Sequence, residues 1–201
     1  MRTAQEYSPT KEKLLEAAQK LMLAKGYGAT TVDEICEWAG VTKGSFFHYF
    51  ESKEDLGKAV LDHFVTFMFR AVQEAPFHER KEPMQRIYGY LDFLIALSKN
   101  PDIPNSCLLG NFSQELSDTL PEIRSQCERH FGQWTEAFKK DLDEAKARYC
   151  PKAAIDTHGL AEYLIAIMEG SIILAKAKQD KEMIEKNLQH FKQYLKALFK
   201  K

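Results

Sequence analysis

Glycine and proline are sparse, 10 and 7 among 201 residues. That excludes a collagen-like or low-complexity chain and lets helices run long before meeting a breaker. Cysteine is scarcer still. Cys36, Cys107, Cys127 and Cys150 form no CxxC pair and no Cys/His zinc spacing. Neither a disulfide framework nor a metal site is expected, and the usage suits a reducing cytosol. No charge of one sign dominates: 28 Lys+Arg stand against 29 Asp+Glu. This excludes a broadly basic, histone-like chain but not a local nucleic-acid surface. Long apolar runs are missing too. Tyr163–Ala175 is the most apolar stretch, but it has 13 residues and includes Glu169 and Ser171, too short and too polar to cross a bilayer. Met1–Thr10 is polar, without the apolar core of a secretory signal, so a cytoplasmic location away from membranes is expected. Alternating β-branched runs between turn signals are absent, and no sheet is expected.

Helical periodicity fills the chain instead. Leu14, Leu15, Ala17, Ala18, Leu21 and Met22 recur at helical spacing, with Thr10 as a cap and Gly26 as an αL stop. Thr31-Val-Asp-Glu34 is a capping box opening a second helix. A third runs from Thr42 to about Phe50. Ser52-Lys-Glu-Asp55 caps a fourth, whose inner face is expected at Leu56, Val60, Phe64, Phe67 and Ala71 until Pro76 ends it. Five more follow: Met84–Lys99, Cys107–Ser117, a long helix opened by Pro121 and reaching Tyr149, Thr157–Lys178 and Lys181–Lys200. The expected fold is all-α with about nine helices, three short ones over residues 1–52 and a helical bundle over 53–201.

The chemistry gathers between Thr31 and Lys53. Two short helices joined by Ala39-Gly40-Val41 make a helix-turn-helix candidate, with Gly40 supplying the positive φ and Val41 an apolar plug. The first turn of the third helix offers Thr42, Lys43 and Ser45, and Gly44 permits close approach to a groove. Phe46 and Phe50, four apart, can both face a core. Phe47, His48 and Tyr49 cannot all join them, so aromatic surface must be exposed. Lys53 opens the next helix, where an ammonium and free backbone N–H groups both suit a phosphate. Taken alone, a helix–glycine–helix pattern equally fits a plain three-helix subdomain.

The full string decides between those readings. Thr31-Val-Asp-Glu-Ile-Cys-Glu-Trp-Ala-Gly-Val-Thr-Lys-Gly-Ser-Phe-Phe-His-Tyr-Phe-Glu-Ser-Lys-Glu-Asp-Leu56, preceded by Ala24-Lys-Gly-Tyr-Gly-Ala-Thr30, closely resembles the N-terminal signature of TetR-family transcriptional regulators. The resemblance implies a homodimeric, non-enzymatic DNA-binding regulator, most often a repressor released by a small-molecule effector. Family DNA contacts map by position onto Thr31, Thr42, Lys43, Gly44, Ser45, Phe47, His48, Tyr49 and Lys53. Phe47 departs from the tyrosine that many members carry there. Cys36 stands where alanine is common, and a small buried side chain is expected. Through Lys58 the chain carries 8 basic and 9 acidic residues. DNA affinity must therefore come from a few placed groups, with strong salt dependence.

The C-terminal part is expected to bind the effector and to dimerise. Asn105-Ser-Cys-Leu-Leu-Gly-Asn-Phe-Ser-Gln-Glu-Leu-Ser-Asp-Thr-Leu-Pro-Glu-Ile-Arg124 loosely resembles a TetR subgroup with a Gly-Cys-Leu-like motif, Ser106 replacing the glycine. Some relatives in that subgroup respond to reactive electrophiles. Cys107 thus reads either as a small buried hydrophobe or as a thiol activated by a helix N-terminus. Phe131, Trp134 and Phe138 form one stripe, which fits a core as well as the wall of a ligand cavity with Cys107, Phe112 and Tyr163. Glu115 and Glu169 are candidate polar handles or paired carboxylates. Ile184, Leu188, Phe191, Leu195 and Leu198 form a coiled-coil-like seam, and the resemblance implies a dimer through the last two helices, with Ile172 also at the interface. No cofactor is implied. An enzyme would need a phosphate loop, a metal set or a nucleophile with its base, and none of GxxxxGK[ST], HExxH or GxSxG occurs. A helical interaction module without DNA binding is the remaining alternative.

Overall fold

The computed structural model describes residues 7–101, 103 and 106–200. Asn105 of the Gly-Cys-Leu-like segment and residues 1–6 of the polar N-terminus lie outside the described residues. Nine α-helices and no strand occur among the described residues: α1 Pro9–Lys25, α2 Val32–Ala39, α3 Lys43–Tyr49, α4 Lys53–Gln73, α5 Pro83–Lys99, α6 Leu108–Leu116, α7 Pro121–Tyr149, α8 Thr157–Lys178 and α9 Glu182–Phe199. A single 3₁₀ turn, Pro76–Glu79, follows α4. Among the described residues no helix is long and apolar enough to cross a membrane.

Three local expectations need correction. Ser8, not Thr10, caps α1: its side chain accepts from the Lys11 N–H at 3.3 Å, and Pro9 takes the first helical turn, where no N–H is needed. Gly26 does end α1 but at φ 87°, ψ 166°, an extended mirror conformation open essentially to glycine alone rather than αL. On α4 the buried residues are Leu56, Gly57, Val60, Leu61 and Val65, and Phe67 is 55% exposed. Its position falls where the compact unit containing the start of α4 ends, at Met68.

The described residues form two compact units. The first comprises those through Met68 together with Leu108–Glu128; the second takes those of Phe69–Cys107 and Arg129–Lys201. In the first, Leu14, Leu15, Ile35, Phe46, Phe50 and Leu56 are buried under α1, α2 and α3. Phe112 of α6 packs edge-on against Tyr27, ring centroids 5.6 Å apart. Gly57 permits this, because a Cβ there would lie 3.1 Å from the Tyr27 ring.

In the second unit α9 lies against α8 and α5. Here the expected interface residues turn inward. Ile172 is 8% exposed, Ile184 1%, Leu188 0%, Phe191 2% and Leu195 0%. The 4-3-4 spacing is real, and the seam it describes packs α9 onto its own chain.

Candidate nucleic-acid interface

Local hydrogen bonding builds the helix-turn-helix. The Thr31 side chain accepts from the Glu34 N–H at 3.2 Å, and the Glu34 carboxylate accepts from the Thr31 N–H at 2.9 Å, a closed capping box. Lys25 adds an ion pair to Glu34 at 2.5 Å. The hydrogen bonds from Lys25 and then Thr31 hold the Glu34 carboxyl down at about 2. Gly40 ends α2 at φ 65°, ψ 37°, the αL conformation that the turn requires. Thr42 then caps α3 by accepting from the Ser45 N–H at 3.1 Å. Cys36, 5% exposed, is the expected small buried residue, and burial pushes its thiol up.

The aromatic residues of α3 divide as their spacing predicts. Phe46 and Phe50 are 0% and 2% exposed, while Phe47 is 58% exposed. His48 is exposed and Tyr49 half-buried, their rings 4.8 Å apart. One face of α3 therefore anchors the helix. The other presents Lys43, Gly44, Phe47 and His48 to solvent.

Two charged groups have partners that residue spacing did not reveal. The Lys43 ammonium lies 2.6 Å from Asp33 Oδ1. The Lys53 ammonium donates to the carbonyl oxygens of Tyr27, at 3.1 Å, and Thr30, at 3.0 Å. It also sits 4.3 Å from the Tyr27 ring centroid. Lysine has three N–H donors, so these two bonds leave one over. Glu115 was also not assignable from its surroundings in sequence. Its carboxylate accepts from the N–H groups of Tyr27 at 2.8 Å and Gly28 at 2.5 Å, fastening α6 to the α1–α2 loop. The signal available was the Gly-x-Gly spacing of that loop. A Cβ on Gly28 would lie 2.8 Å from Glu115.

A helix-turn-helix of this kind has known counterparts. The family pattern described as bacterial regulatory proteins, tetR family, matches residues 14–60. Tetracyclin repressor-like, C-terminal domain, matches residues 83–191. The chain belongs to the TetR family. The HTH-type transcriptional repressor DhaR of Mycobacterium sp. is 31% identical over 90% of this chain and 89% of its own length. The transcriptional repressor NemR of Escherichia coli is 26% identical over 91% of this chain and 92% of its own. The crystal structure of reduced E. coli NemR matches with a TM-score of 0.81 at 25% identity, covering 92% of this chain and 96% of that one. As a TetR-family member the protein is a DNA-binding transcriptional regulator, and its relatives are regulators rather than enzymes.

The five expected effector residues of this TetR-family chain fall into separate settings. Phe112 belongs to the first unit, fully buried against Tyr27. Phe131 and Trp134 stack at 6.5 Å, and the indole N–H donates to the Tyr90 hydroxyl at 2.6 Å. Tyr163 is 51% exposed and meets Phe191 and Tyr194 edge-on at 5.7 and 6.2 Å. Cys107 is buried and hydrogen-bonded to Glu169, whose carboxyl is pushed up by burial against the opposing effects of that bond and of Lys176. Glu169 Oε1 has no hydrogen-bond partner among the described residues.

Proposed function

We propose that the protein is a cytoplasmic repressor that binds a pseudo-palindromic operator as a homodimer and leaves it when a small molecule occupies its second half. Residues to about 52 form the DNA-binding domain and those from 53 onward the effector and dimerisation domain. The observation that carries the dimer is an uncovered apolar surface. Tyr163 is 51% exposed, Ile173 48% and Leu174 40% on α8, and Tyr194 is 48% exposed on α9. Large apolar side chains left exposed on these two helices mark an association surface. A two-fold axis through it gives a self-complementary contact, and a two-fold protein suits a two-fold operator. That DhaR and NemR are named repressors supports the sign of regulation.

Base contacts fall to Lys43, Gly44 and Phe47, and backbone positioning to Thr31, Thr42, Ser45, His48, Tyr49 and Lys53. The effector half centres on Cys107, Glu169, Phe131 and Trp134, and a reactive electrophile at Cys107 is one form of effector. Sedimentation equilibrium tests the assembly. The wild type is a dimer at micromolar concentration, and Tyr194→Glu is a folded monomer with weakened operator binding. A wild-type monomer refutes the proposal. Treatment with N-ethylmaleimide addresses the effector: operator release from the wild type but not from Cys107→Ser assigns the thiol, and equal release from both removes it.

A further inference from the structure

From Thr31 to Ser52 the chain carries one lysine or arginine, Lys43, against four acids, Asp33, Glu34, Glu37 and Glu51. A DNA-binding surface with so little positive charge needs an account of how its lysines are used, and Lys53, next along, already spends two donors on Tyr27 and Thr30. Glu34 is neutralised locally by Lys25 and by its own cap. Asp33 is not needed for that cap, which Thr31 and Glu34 complete. Its carboxylate instead reaches across to α3 and holds the Lys43 ammonium at 2.6 Å, both side chains being more than 60% exposed. The pair lies at the start of α3, and the inference rests on the function proposed above, in which the first turn of that helix faces DNA.

We propose that Asp33 is a specificity-determining residue, holding Lys43 so that the lysine is aimed at an operator's base edges and its charge is withheld from arbitrary duplex. Non-specific binding is electrostatic and comes from cations meeting phosphates. A lysine already paired with a carboxylate brings almost no net charge to that encounter. On an operator the pair stays together, because the ammonium has three N–H donors and one can remain on Asp33 while the others meet a base edge. Random DNA has only phosphates to offer in compensation. An operator adds base-edge acceptors in fixed geometry, of which the paired O6 and N7 of guanine suit a lysine. The carboxylate therefore weakens binding to random duplex by cancelling the Lys43 charge, and on the operator that loss is offset by the fixed aim it gives the lysine.

The test uses the full chain and fluorescence anisotropy over a range of salt. One duplex is recovered by selection from a random pool and the other is of random sequence. Asp33→Asn is expected to tighten random-duplex binding by about tenfold and raise the salt slope by about 1. Tightening on the selected duplex is expected to be smaller, about threefold, so the specificity ratio falls. In a Lys43→Ala background the same substitution is expected to lose at least half of its effect, because the two residues act as one unit. Asp33→Ser, which also removes the charge, is expected to reproduce that ordering, and this separates the loss of charge from any effect of asparagine on α2. Equal tightening on both duplexes overturns the proposal, as does an effect undiminished without Lys43 or weaker binding to random duplex.

Discussion

Around α2 and α3 the helix caps are satisfied within a few residues of themselves, Thr31 with Glu34 and Thr42 with Ser45. Around α5, α8 and α9 the polar contacts span long stretches of chain. Lys192 reaches Asp92, 100 residues away, at 2.8 Å, and Lys176 reaches Ser106 at 2.9 Å. The apolar side chains differ in the same direction. In α3 the buried pair Phe46 and Phe50 sits on one face, with Phe47 beside it in solvent. In α8 and α9 apolar residues occupy both the buried seam and the exposed surface, so residue type alone does not say which is which. A surface whose order is local can be built and read piecewise. One whose order is non-local takes its meaning from how the helices pack.

Substitutions on the two faces of the α8–α9 pair should therefore separate most. Leu188→Glu places an unpaired charge in the seam and is expected to cost about 3–5 kcal/mol, seen as loss of the cooperative thermal transition. Tyr194→Glu is expected to change monomer stability by less than about 0.5 kcal/mol, while sedimentation reports loss of the dimer. Equal destabilisation by both would mean that the exposed face is part of the core.

Neighbouring residues in α3 allow the same contrast. Phe46→Ala is expected to cost about 3–5 kcal/mol in denaturant unfolding. Phe47→Ala is expected to stay within about 0.5 kcal/mol of the wild type and yet weaken operator binding. Next in size comes the α6 clamp. Glu115→Ala strips the acceptor from Tyr27 and Gly28, and hydrogen exchange at those two amides should speed up by about tenfold with little change in the α9 amides. Uniform acceleration in both regions would show that the clamp supports the whole chain rather than one loop.

The smallest effect is a pH dependence confined to the α2 cap. Glu34 is held from an ordinary 4.5 down to about 2 by its bonds to Lys25 and Thr31. Its folded value is depressed, so its contribution is fully present above about pH 4.5 and is lost as pH falls through about 2. Glu34→Gln should flatten the acid limb of the stability profile in that window. A profile unchanged by the substitution would show that the cap does not titrate there.

Much of this architecture was legible in residue order. Thr31, Gly40 and Thr42 announce their roles because capping and positive φ are decided within four residues. The division of Phe46 and Phe50 from Phe47 follows from helical spacing once a core is assumed. Lys53 was legible as a functional cation but not as a clamp on Tyr27 and Thr30, partners more than twenty residues away. The Ile184, Leu188, Phe191 and Leu195 stripe was legible as a seam but not as an internal one. Spacing shows that a helix has an apolar face and is silent on whether the same chain or a second copy covers it. Phe112 and Tyr163 were legible as apolar residues only, and packing assigned one to Tyr27 and the other to the exposed surface.

The central claim is that a few placed groups on α3, doubled by two-fold symmetry, supply DNA recognition in place of a basic surface. Selection of bound sequences from a random duplex pool, run in parallel with wild type and Lys43→Ala, tests it most directly. The account predicts an inverted repeat with half-site centres about 10–10.5 base pairs apart or a multiple of that, and an altered half-site preference for Lys43→Ala. A recovered sequence without two-fold symmetry, or one that Lys43→Ala leaves unchanged, would contradict it.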